Sequence, residues 1–392
     1  MLMNSRSAHG HTPSTLYIGL MSGTSLDGVD GVLVDFAYSP PRLLATASEP
    51  LAATLRQQLL ALNSPGANEL HTAAQAAYEL AELSAQVCHT LLRQSGKQAH
   101  HIAAIGSHGQ TVRHQPPGRA TQHPYTLQIN QPAVLAERTG IAVVADFRSR
   151  DVAAGGQGAP LVPAFHQALF GAQGLSRLVI NIGGMANITA LAANGQVWGM
   201  DSGPGNVLLD LWCHQHTGQW YDANGEWAAS GHVHTGLLAH MLNDPYFAHT
   251  GVKSTGRDDF NLAWLERQLS GLAHDPVLRP QDVQATLVEL TAHTLAQCAQ
   301  VARTPLWGGV LPSQALVCGG GARNAHLMQR LQQALGPKVQ VITTDSAGWP
   351  GEWMEAAAFA WLAQQCLLGL SGNVPSVTGA AGPRVLGAIY PA

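Results

Sequence analysis

The sequence contains two strand–turn–strand units with glycine-rich turns, about half the chain apart. The first spans residues 15–36 around Ser22-Gly23-Thr24-Ser25, and the second spans residues 177–191 around Gly183-Gly184. Two strands joined by a short glycine-rich turn are typical of a β-hairpin. A hairpin repeated at this distance predicts two similar α/β cores side by side, with a ligand site in the cleft between them.

Length and composition agree with two such cores. The chain has 392 residues, and 46% of them are hydrophobic while 11% are charged, so about two domains with large buried cores are expected. The net charge is -4, and no dense run of Lys or Arg occurs. Because nucleic-acid-binding proteins usually carry a basic patch, we expect no nucleic-acid partner.

The cysteine and apolar patterns favour the cytoplasm. Five scattered cysteines form no C-x-x-C pair, which argues against a disulfide framework and a structural zinc site. No apolar run reaches the roughly 18–20 residues of a membrane helix, and residues 1–14 lack the apolar core of a signal peptide. We therefore expect a cytoplasmic protein without a membrane partner, with residues 1–14 as a loose tail.

Helices and strands alternate along the rest of the chain, which predicts an α/β fold. The predicted helices include Ala322–Leu335 and a last long helix at Glu352–Leu370, and a short strand is expected near Arg384–Leu386. No low-complexity linker interrupts the chain, so the two cores should be closely joined.

The first glycine-rich turn is a candidate phosphate site. Its backbone N–H groups and hydroxyls can hold phosphate oxygens, and its carboxylates can reach Mg²⁺ through water. The residues concerned are Gly23, Thr24, Ser25, Leu26, Asp27, Gly28, Val29 and Asp30. Asp27 is the expected metal contact. A plain hairpin turn uses the same residue types and stays open as the alternative.

Asp201 directly follows the predicted strand Gln196–Met200 and precedes a second glycine-rich turn. A carboxylate at the C-terminal end of a strand points towards the cleft where α/β proteins bind ligands, so Asp201 is a candidate general base. Gly203 and Gly205 would let a phosphate or a sugar approach closely. The alternative is that Asp201 caps the helix that starts near Asn206, but a cap does not account for the glycines and proline between them.

A third glycine-rich turn, Gly319-Gly320-Gly321, joins a hydrophobic strand to a helix and is followed by Asn324. Three glycines let a flat ring or a phosphate lie against the backbone near the positive end of a helix. Consecutive glycines cost chain entropy, which favours a ligand role over the alternative of a tight connection alone.

Four further polar residues are candidates for the same cleft. His108 follows one strand, Asp146 and Arg148 follow another, and Glu355 lies in the first turn of the last helix. Arg148 can bind a carboxylate or phosphate with two hydrogen bonds, and Asp146 can orient it or bind a sugar hydroxyl. The alternatives are a structural imidazole for His108 and a helix-dipole contact for Glu355.

Eight motifs in order resemble those of the anhydro-N-acetylmuramic acid kinase family, within the hexokinase/Hsp70/actin superfamily. They are Gly19-Leu-Met-Ser-Gly-Thr-Ser-Leu-Asp-Gly28, Gly106-Ser-His-Gly-Gln-Thr111, Ala145-Asp-Phe-Arg148, Asn181-Ile-Gly-Gly-Met-Ala-Asn187, Asp201-Ser-Gly-Pro-Gly-Asn206, Cys318-Gly-Gly-Gly-Ala-Arg-Asn324, Met354-Glu-Ala-Ala-Ala-Phe-Ala-Trp-Leu362 and Pro375-Ser-Val-Thr-Gly379. The resemblance runs from about residue 15 to about residue 386. Ser202 and Met185 depart from the family pattern without threatening the chemistry.

The resemblance implies two actin-like (RNase H-like) lobes with mixed sheets flanked by helices and an active site in the cleft between them. Residues 15–145 and 371–392 would form the N-terminal lobe, and residues 146–370 the C-terminal lobe. It also implies a homodimer that uses ATP and Mg²⁺. The activity would be that of a kinase that opens the 1,6-anhydro bridge of a muramic acid sugar with water and phosphorylates O6, in peptidoglycan recycling.

The same resemblance implies roles for the candidate residues. Asp201 would deprotonate the attacking water, and the turn from Gly23 to Asp30 would hold the phosphates and Mg²⁺. Further nucleotide contacts would come from Gly183, Gly184, Asn187, Gly203, Gly205, Asn206, Gly319, Gly320, Gly321 and Asn324. Arg148 would pair with the lactyl carboxylate of the sugar, and His108, Asp146 and Glu355 would line the sugar site.

Three other functions stay open at this point. A kinase for a sugar with a free hydroxyl would use the same base, and a non-catalytic actin-like nucleotide switch would use the same nucleotide site. A nuclease with an acidic cluster is the third, although the sequence lacks the basic groove that such an enzyme needs.

Overall fold

The computed structural model of the protein describes residues 14–23, 26–118, 122–172, 174–249, 251, 253–257, 259–271 and 278–392. The strands are β1 (Leu16–Met21), β2 (Gly28–Asp35), β3 (Arg42–Pro50), β4 (Ile102–Ser107), β5 (Gln110–Gln115), β6 (Tyr125–Ile129), β7 (Val143–Ala145), β8 (Arg177–Ile182), β9 (Met185–Leu191), β10 (Val197–Pro204), β11 (Gln314–Cys318), β12 (Gln340–Thr343) and β13 (Ala388–Tyr390). The helices are α1 (Ala53–Ala61), α2 (Glu69–Ser95), α3 (Pro132–Thr139), α4 (Ser149–Ala153), α5 (Val162–Phe170), α6 (Val207–Thr217), α7 (Glu226–Ala229), α8 (Thr235–Leu242), α9 (Pro245–Ala248), α10 (Leu262–Ser270), α11 (Pro280–Trp307), α12 (Ala325–Leu335), α13 (Met354–Leu368) and α14 (Pro375–Thr378).

The strands form two large mixed sheets and one small hairpin. The first sheet has the order β13-β7-β4-β1-β2-β3, the second has the order β10-β9-β8-β11-β12, and β5 pairs with β6. In the first sheet, β1 to β3 form an antiparallel meander, and β4 and β7 add in parallel beside β1. In the second, β8 to β10 form the meander, and β11 and β12 add in parallel beside β8. The shared topology confirms the α/β duplication predicted from the two hairpins.

Helix α13 packs directly on the first sheet and reaches the second mainly through α5, which contacts α13, β9 and β10. Its apolar side chains form one cluster with Val32 and Ala104 of the first sheet and with Val179 and Leu316 of the second. From the start of α13 to Ala363, only Glu355 and Trp361 are not buried, as expected for a helix with apolar neighbours on opposite sides. On the outer faces, α2 covers the first sheet and α11 covers the second.

Two glycines let α13 lie directly on the first sheet. Gly19 of β1 and Gly106 of β4 are neighbours across the two strands. A Cβ atom at Gly19 would lie 1.9 Å from the carbonyl oxygen of Ala356, and a Cβ atom at Gly106 would lie 2.0 Å from that of Phe359. The helix backbone therefore occupies space that a side chain on either strand would fill.

The start of one predicted helix and the position of the last predicted strand differ from the structure. Helix α12 begins at Ala325 and not at Ala322, because Asn324 has extended backbone angles (φ −86°, ψ 97°) and accepts the N–H of Leu327 with its side chain. The last strand is β13 and not a strand near residues 384–386. The N–H and C=O of Arg384 bond instead to Asn373 Oδ1 and to the N–H of Gly372.

The lobe boundaries stay a prediction. Strand β13 joins the first sheet, and α13, which the prediction assigns to the C-terminal lobe, packs directly on that sheet as well. The predicted tail lies outside the described residues except for Ser14. In the described ranges, every helix is either too short or too polar to cross a membrane.

Gly106→Ala is expected to destabilise the protein strongly. The new methyl group would overlap the backbone of α13, which cannot move aside as a flexible side chain can, and overpacking of this kind costs about 1–3 kcal/mol or more. Urea unfolding would measure the loss. Gly66→Ala is the matched control, because a Cβ atom there meets nothing within 4 Å and surface changes stay within about 0.5 kcal/mol. Equal stability of the two variants would contradict the close contact between α13 and the sheet.

Candidate active site

Several residues that were predicted from separate motifs lie close together at one edge of the second sheet. Asp201 of β10 lies opposite Asn187 of β9, and Asn187 lies opposite Asn181 of β8. The hairpin tip Gly183-Gly184 follows β8, and the turn Gly319-Gly320-Gly321 follows the neighbouring strand β11. The cleft predicted between the two cores therefore has a row of polar side chains and two glycine turns on this side.

Asp201 is a buried carboxyl group with the properties of a base. The residue is 7% exposed, and Oδ2 accepts a hydrogen bond from the N–H of Thr255 at 3.0 Å. Burial raises the pKa of Asp201 to about 7, while the Thr255 amide and the charges of Arg148 and Lys253 limit the rise. A carboxyl group with such a pKa can take up a proton near neutral pH, as a general base must.

Strand β10 continues beyond Asp201 to Pro204, so the prediction that it ends before Asp201 is wrong. A bulge lies between Asp201 and Gly203, where the pairing with β9 shifts its register. Gly203 has a φ of 140°, and a Cβ atom there would lie 2.8 Å from the ring of Phe247. Backbone conformation and packing both require this glycine. Bulges commonly redirect a side chain beside an active site, and here the bulge follows the candidate base.

The first hairpin tip carries carboxylates at a pocket of about 220 Å³. Asp30 accepts a hydrogen bond from Ser48 Oγ at 2.7 Å, and burial raises its pKa. Asp27 is exposed and pairs with Arg56 at 2.9 Å. Glu355 of α13 lines the same pocket. The other lining residues are Met21, Gly23, Gly28, Ser48 and Pro50. The pocket thus joins the tip to the first turn of α13.

Part of the predicted phosphate turn faces the core instead of the pocket. The side chains of Leu26 and Val29 are buried, so these residues have only their backbone to offer a ligand. Leu26 has a φ of 57° and packs with Leu55 and Leu59 of α1, which anchors the tip. The predicted contacts Thr24 and Ser25 lie outside the described residues.

The second hairpin tip is bonded to the start of α6. The carbonyl of Gly183 accepts the N–H of Asn206 at 2.8 Å, and that of Gly184 accepts the N–H groups of Gly205 at 2.9 Å and Val207 at 3.1 Å. A Cβ atom at Gly205 would lie 2.4 Å from the Gly183 carbonyl oxygen. The backbone N–H groups of Gly205 and Asn206 are thus used to hold the hairpin. They are not available to donate to a nucleotide, although a nucleotide could still lie close to these residues.

The third glycine turn packs against the end of β8. Gly319 has a φ of 80°, and a Cβ atom there would lie 2.4 Å from Asn181 Oδ1. A Cβ atom at Gly321 would lie 2.3 Å from Ile182 Cγ2, whereas one at Gly320 meets nothing nearer than 3.5 Å. Two of the three glycines are thus required by packing, and Gly320 borders free space. Asn324 is engaged in capping α12.

His108 and Arg148 form a buried pair. Arg148 Nε donates to His108 Nε2 at 3.0 Å, and Nη1 donates to the carbonyl of Gly158 at 2.7 Å. Burial, and then the charge of Arg148, lower the pKa of His108 to about 3. His108 is therefore neutral, with its proton on Nδ1, which lies 2.8 Å from the Gly109 carbonyl oxygen. The imidazole acts as an acceptor that fixes Arg148.

Arg148 faces the carboxylates of both cores. Burial lowers its pKa, and the negative charges of Glu355, Asp201 and Asp151 oppose that change. Glu355 accepts a hydrogen bond from Asn181 Nδ2 at 3.3 Å, and burial raises its pKa. Asp146 is exposed, has a φ of 59° and forms no hydrogen bond with the described residues. The orientation of Arg148 therefore comes from other groups than Asp146.

Asp151 supports the loop that holds Arg148, and its role was not predicted from the sequence. The fully buried carboxylate accepts the N–H of Gly158 at 2.8 Å, Asn373 Nδ2 at 2.7 Å and Thr378 Oγ1 at 2.8 Å. Asn373 lies 222 positions further along the chain, so no local motif could reveal the contact.

Two further charged residues at the cleft were missed. Asp210 lies in the first turn of α6, and burial raises its pKa to about 7, with Arg257 opposing the rise and Asp27 adding to it. Lys253 is 8% exposed and interacts with Asp201. The polar run from Lys253 to Arg257 was the available signal. Across the described ranges, no three His, Cys, Asp or Glu side chains converge to hold a metal ion.

The whole chain is similar to one family of proteins. The model of the family described as anhydro-N-acetylmuramic acid kinase matches residues 15–392. Relatives of that name from Bordetella avium and Cupriavidus pinatubonensis are each 56% identical, with 97% of this chain and 97% of the relative covered for the first, and 96% and 98% for the second. Among solved structures, component A of (R)-2-hydroxyglutaryl-CoA dehydratase from Acidaminococcus fermentans aligns at 13% identity with a TM-score of 0.46, over 89% of this chain and 98% of its own. From the family match and the identity of its curated relatives, the chain belongs to the anhydro-N-acetylmuramic acid kinase family.

Proposed function

We propose that this protein uses ATP and water to convert 1,6-anhydro-N-acetylmuramic acid into N-acetylmuramic acid 6-phosphate, in peptidoglycan recycling. The name of its relatives supports the substrate. Asp201 carries the chemical part of the proposal, since it is a buried carboxyl group whose pKa is raised to about 7. Ring opening by water needs a base that is ionised near neutral pH, and Asp201 meets that need.

The reaction balances with Asp201 as the base. Asp201 takes a proton from water while the water oxygen forms a bond to C1 of the sugar, and the C1–O6 bond breaks, as in an inverting glycosidase. O6 leaves with the electron pair and attacks the γ-phosphorus of ATP, so the bond to the β-phosphate oxygen breaks and ADP leaves. Because O6 is phosphorylated as it departs, no separate proton donor to O6 is required.

Arg148 is proposed to bind the lactyl carboxylate of the sugar. Its Nε and Nη1 atoms are held by His108 and Gly158, whereas Nη2 has no hydrogen-bond partner in the described part of the chain. A guanidinium fixed on one side can still bind a carboxylate with its free edge. Glu355, His108 and Asp146 complete the proposed sugar site, His108 through Arg148.

The pocket at the first hairpin tip suits the nucleotide phosphates with Mg²⁺. Mg²⁺ prefers oxygen ligands and keeps several of its waters, which agrees with the carboxylates of Asp27 and Asp30 at this pocket. When bound, the ion would neutralise charge that develops on the transferred phosphate. We assign Asp27 as its contact, through water, and the glycine turns around Gly183 and Gly320 as neighbours of the nucleotide.

We also propose a cytoplasmic homodimer with two lobes, residues 15–145 with 371–392 and residues 146–370. All five cysteines are free and buried, which suits a reducing compartment. Lobe closure over both substrates would exclude bulk water, which protects ATP from hydrolysis. One water molecule must stay beside Asp201.

Replacing the base should abolish ring opening. With ATP, Mg²⁺ and the anhydro sugar in ¹⁸O water, mass spectrometry of the wild-type product should show one phosphate and one ¹⁸O at C1. Asp201→Asn should lower the rate by about 10²–10⁴-fold, as expected for the loss of a general base. Glu79→Gln removes one negative charge from the exposed face of α2 and should keep the wild-type rate.

Two results would contradict the proposal. A wild-type protein that binds ATP but forms no sugar phosphate from the anhydro sugar would redirect the search to sugars with a free hydroxyl. An Asp201→Asn variant as fast as Glu79→Gln would show that another group is the base.

The rate should fall in acid. Asp201 must be ionised to act as a base, and its pKa is raised to about 7. At saturating ATP, kcat/KM for the sugar should therefore drop about tenfold for each pH unit below pH 7. A profile that stays flat down to pH 5 would contradict both the raised pKa and the role of Asp201.

Asp201→Asn should stabilise the fold at alkaline pH. The folded pKa of Asp201 is raised to about 7, above the unfolded value of about 3.9, so between these values the native state binds more protons than the unfolded state. Stability from this group is therefore present in acid and lost as the pH rises to 7. Asparagine carries no such cost, and the Tm of the variant should exceed that of the wild type at pH 8 but not at pH 4. A Tm difference that is independent of pH would contradict this origin.

A further inference from the structure

Lys253 occupies an unusual position for a lysine. It is 8% exposed, in the segment between α9 and α10. The chain has two other lysines, Lys97 and Lys338, and both are exposed. Buried lysines are rare unless a partner compensates the charge, so the surroundings of Lys253 call for a physical explanation.

Tyr246 holds the ammonium group of Lys253 in place. Nζ donates to the carbonyl of Tyr246 at 3.1 Å and lies 4.3 Å from the centre of the tyrosine ring. A cation over an aromatic face is attracted by the negative charge density of the ring. The side chain is therefore fixed by a hydrogen bond and a cation–π contact to the same residue.

Both residues also hold the backbone of Asp201. The N–H of Asp201 donates to the carbonyl of Lys253 at 3.3 Å, and the hydroxyl of Tyr246 donates to the carbonyl of Asp201 at 2.9 Å. Two positions beyond Lys253, the N–H of Thr255 donates to Asp201 Oδ2 at 3.0 Å. Oδ1 of Asp201 accepts no hydrogen bond from the described residues, so one carboxylate oxygen is anchored and the other is left for the reaction.

We propose that Lys253 is a positioning residue for Asp201: its carbonyl holds the Asp201 backbone, and its ammonium group, fixed on Tyr246, adds to the charge of Arg148 in favouring the ionised carboxylate. The inference rests on the proposed role of Asp201 as the base. Without a compensating charge, the burial of Asp201 would favour its protonated form, which cannot accept a proton from water.

The other charged or titratable groups that face Asp201 do not replace Lys253. Arg148 has a larger effect on Asp201 than Lys253 has, but Arg148 faces Glu355 and Asp151 as well. Cys298 of α11 faces both Asp201 and Lys253, and burial raises the pKa of its thiol to about 11. Cys298 therefore carries no charge at neutral pH, and among the residues that the structure describes Asp201 is the carboxylate that faces Lys253.

The direct test follows the Asp201 carboxyl group by ¹³C NMR of aspartate-labelled protein, without substrate. The resonance is identified by its loss in Asp201→Asn. An opposite charge near a carboxyl group lowers its pKa by about 1–3 units, so Lys253→Gln should move the titration of Asp201 up by about one pH unit. Lys253→Arg, which keeps the charge, should stay close to the wild type, as should Lys97→Gln.

The activity test uses the same variants. In Lys253→Gln the acid limb of the kcat/KM profile should move up with the carboxyl titration, kcat at pH 7 should fall, and the KM for ATP should stay unchanged. A purely structural lysine would lower stability without moving the acid limb. Lys253→Met has a similar length and suits a buried position, and it serves as the second neutral variant if Lys253→Gln fails to fold.

The outcomes distinguish the proposed role of Lys253 from the proposed role of Asp201 as the base. An Asp201 titration that is the same in the wild type, Lys253→Gln and Lys253→Met overturns the role of Lys253, whatever the activity. A carboxyl titration that moves while the acid limb of the rate stays supports the pairing and contradicts Asp201 as the base. A joint shift of both, rescued by Lys253→Arg, supports the inference and the base together.

Discussion

The contact between α13 and the glycine pair Gly19 and Gly106 is the constraint on which the rest of the structure depends. Since no side chain separates the helix backbone from β1 and β4, the helix has one possible height above the first sheet. The helix also contacts α5, which packs against β9 and β10 of the second sheet, so the same contact helps to set the distance between the two cores. Glu355 in its first turn and Phe359, whose ring lies 4.7 Å from that of His108, are placed by this packing.

The candidate site contains several charged side chains that are wholly or partly buried. Asp201 is buried and Glu355 is half-buried, and Arg148 faces both of these carboxyl groups while Lys253 faces Asp201. Burying a charge costs several kcal/mol unless a partner and hydrogen bonds compensate it. His108 is neutral for the same reason. Burial disfavours its charged form, and a proton on Nε2 would also face the guanidinium of Arg148.

The existence of the main elements could be predicted from local sequence, whereas some of their ends and the contacts between distant residues could not. Glycine tips between alternating strands revealed both hairpins, and so the duplication. The end of β10 was placed too early, because a bulge at Gly203 lets the strand continue. The start of α12 was placed too early, because Asn324 combines extended angles with a side-chain cap. Prediction of the site residues had the same limit. Asp201 and Arg148 stand in recognisable motifs, whereas Lys253 and Asp151 act through partners that only the folded chain brings together.

The contacts of Asp151 link the support of Arg148 to a segment of the chain that is made later than the second sheet. Arg148 is held by the carbonyl of Gly158, Gly158 is held by Asp151, and Asp151 is held by Asn373 and Thr378. These last two residues leave the ribosome after every strand of the second sheet has been made. A nascent chain can therefore complete its second core while the guanidinium beside the base still lacks its support. The segment that contains Asn373 and Thr378 therefore has to fold against Asp151 before the support of Arg148 is complete.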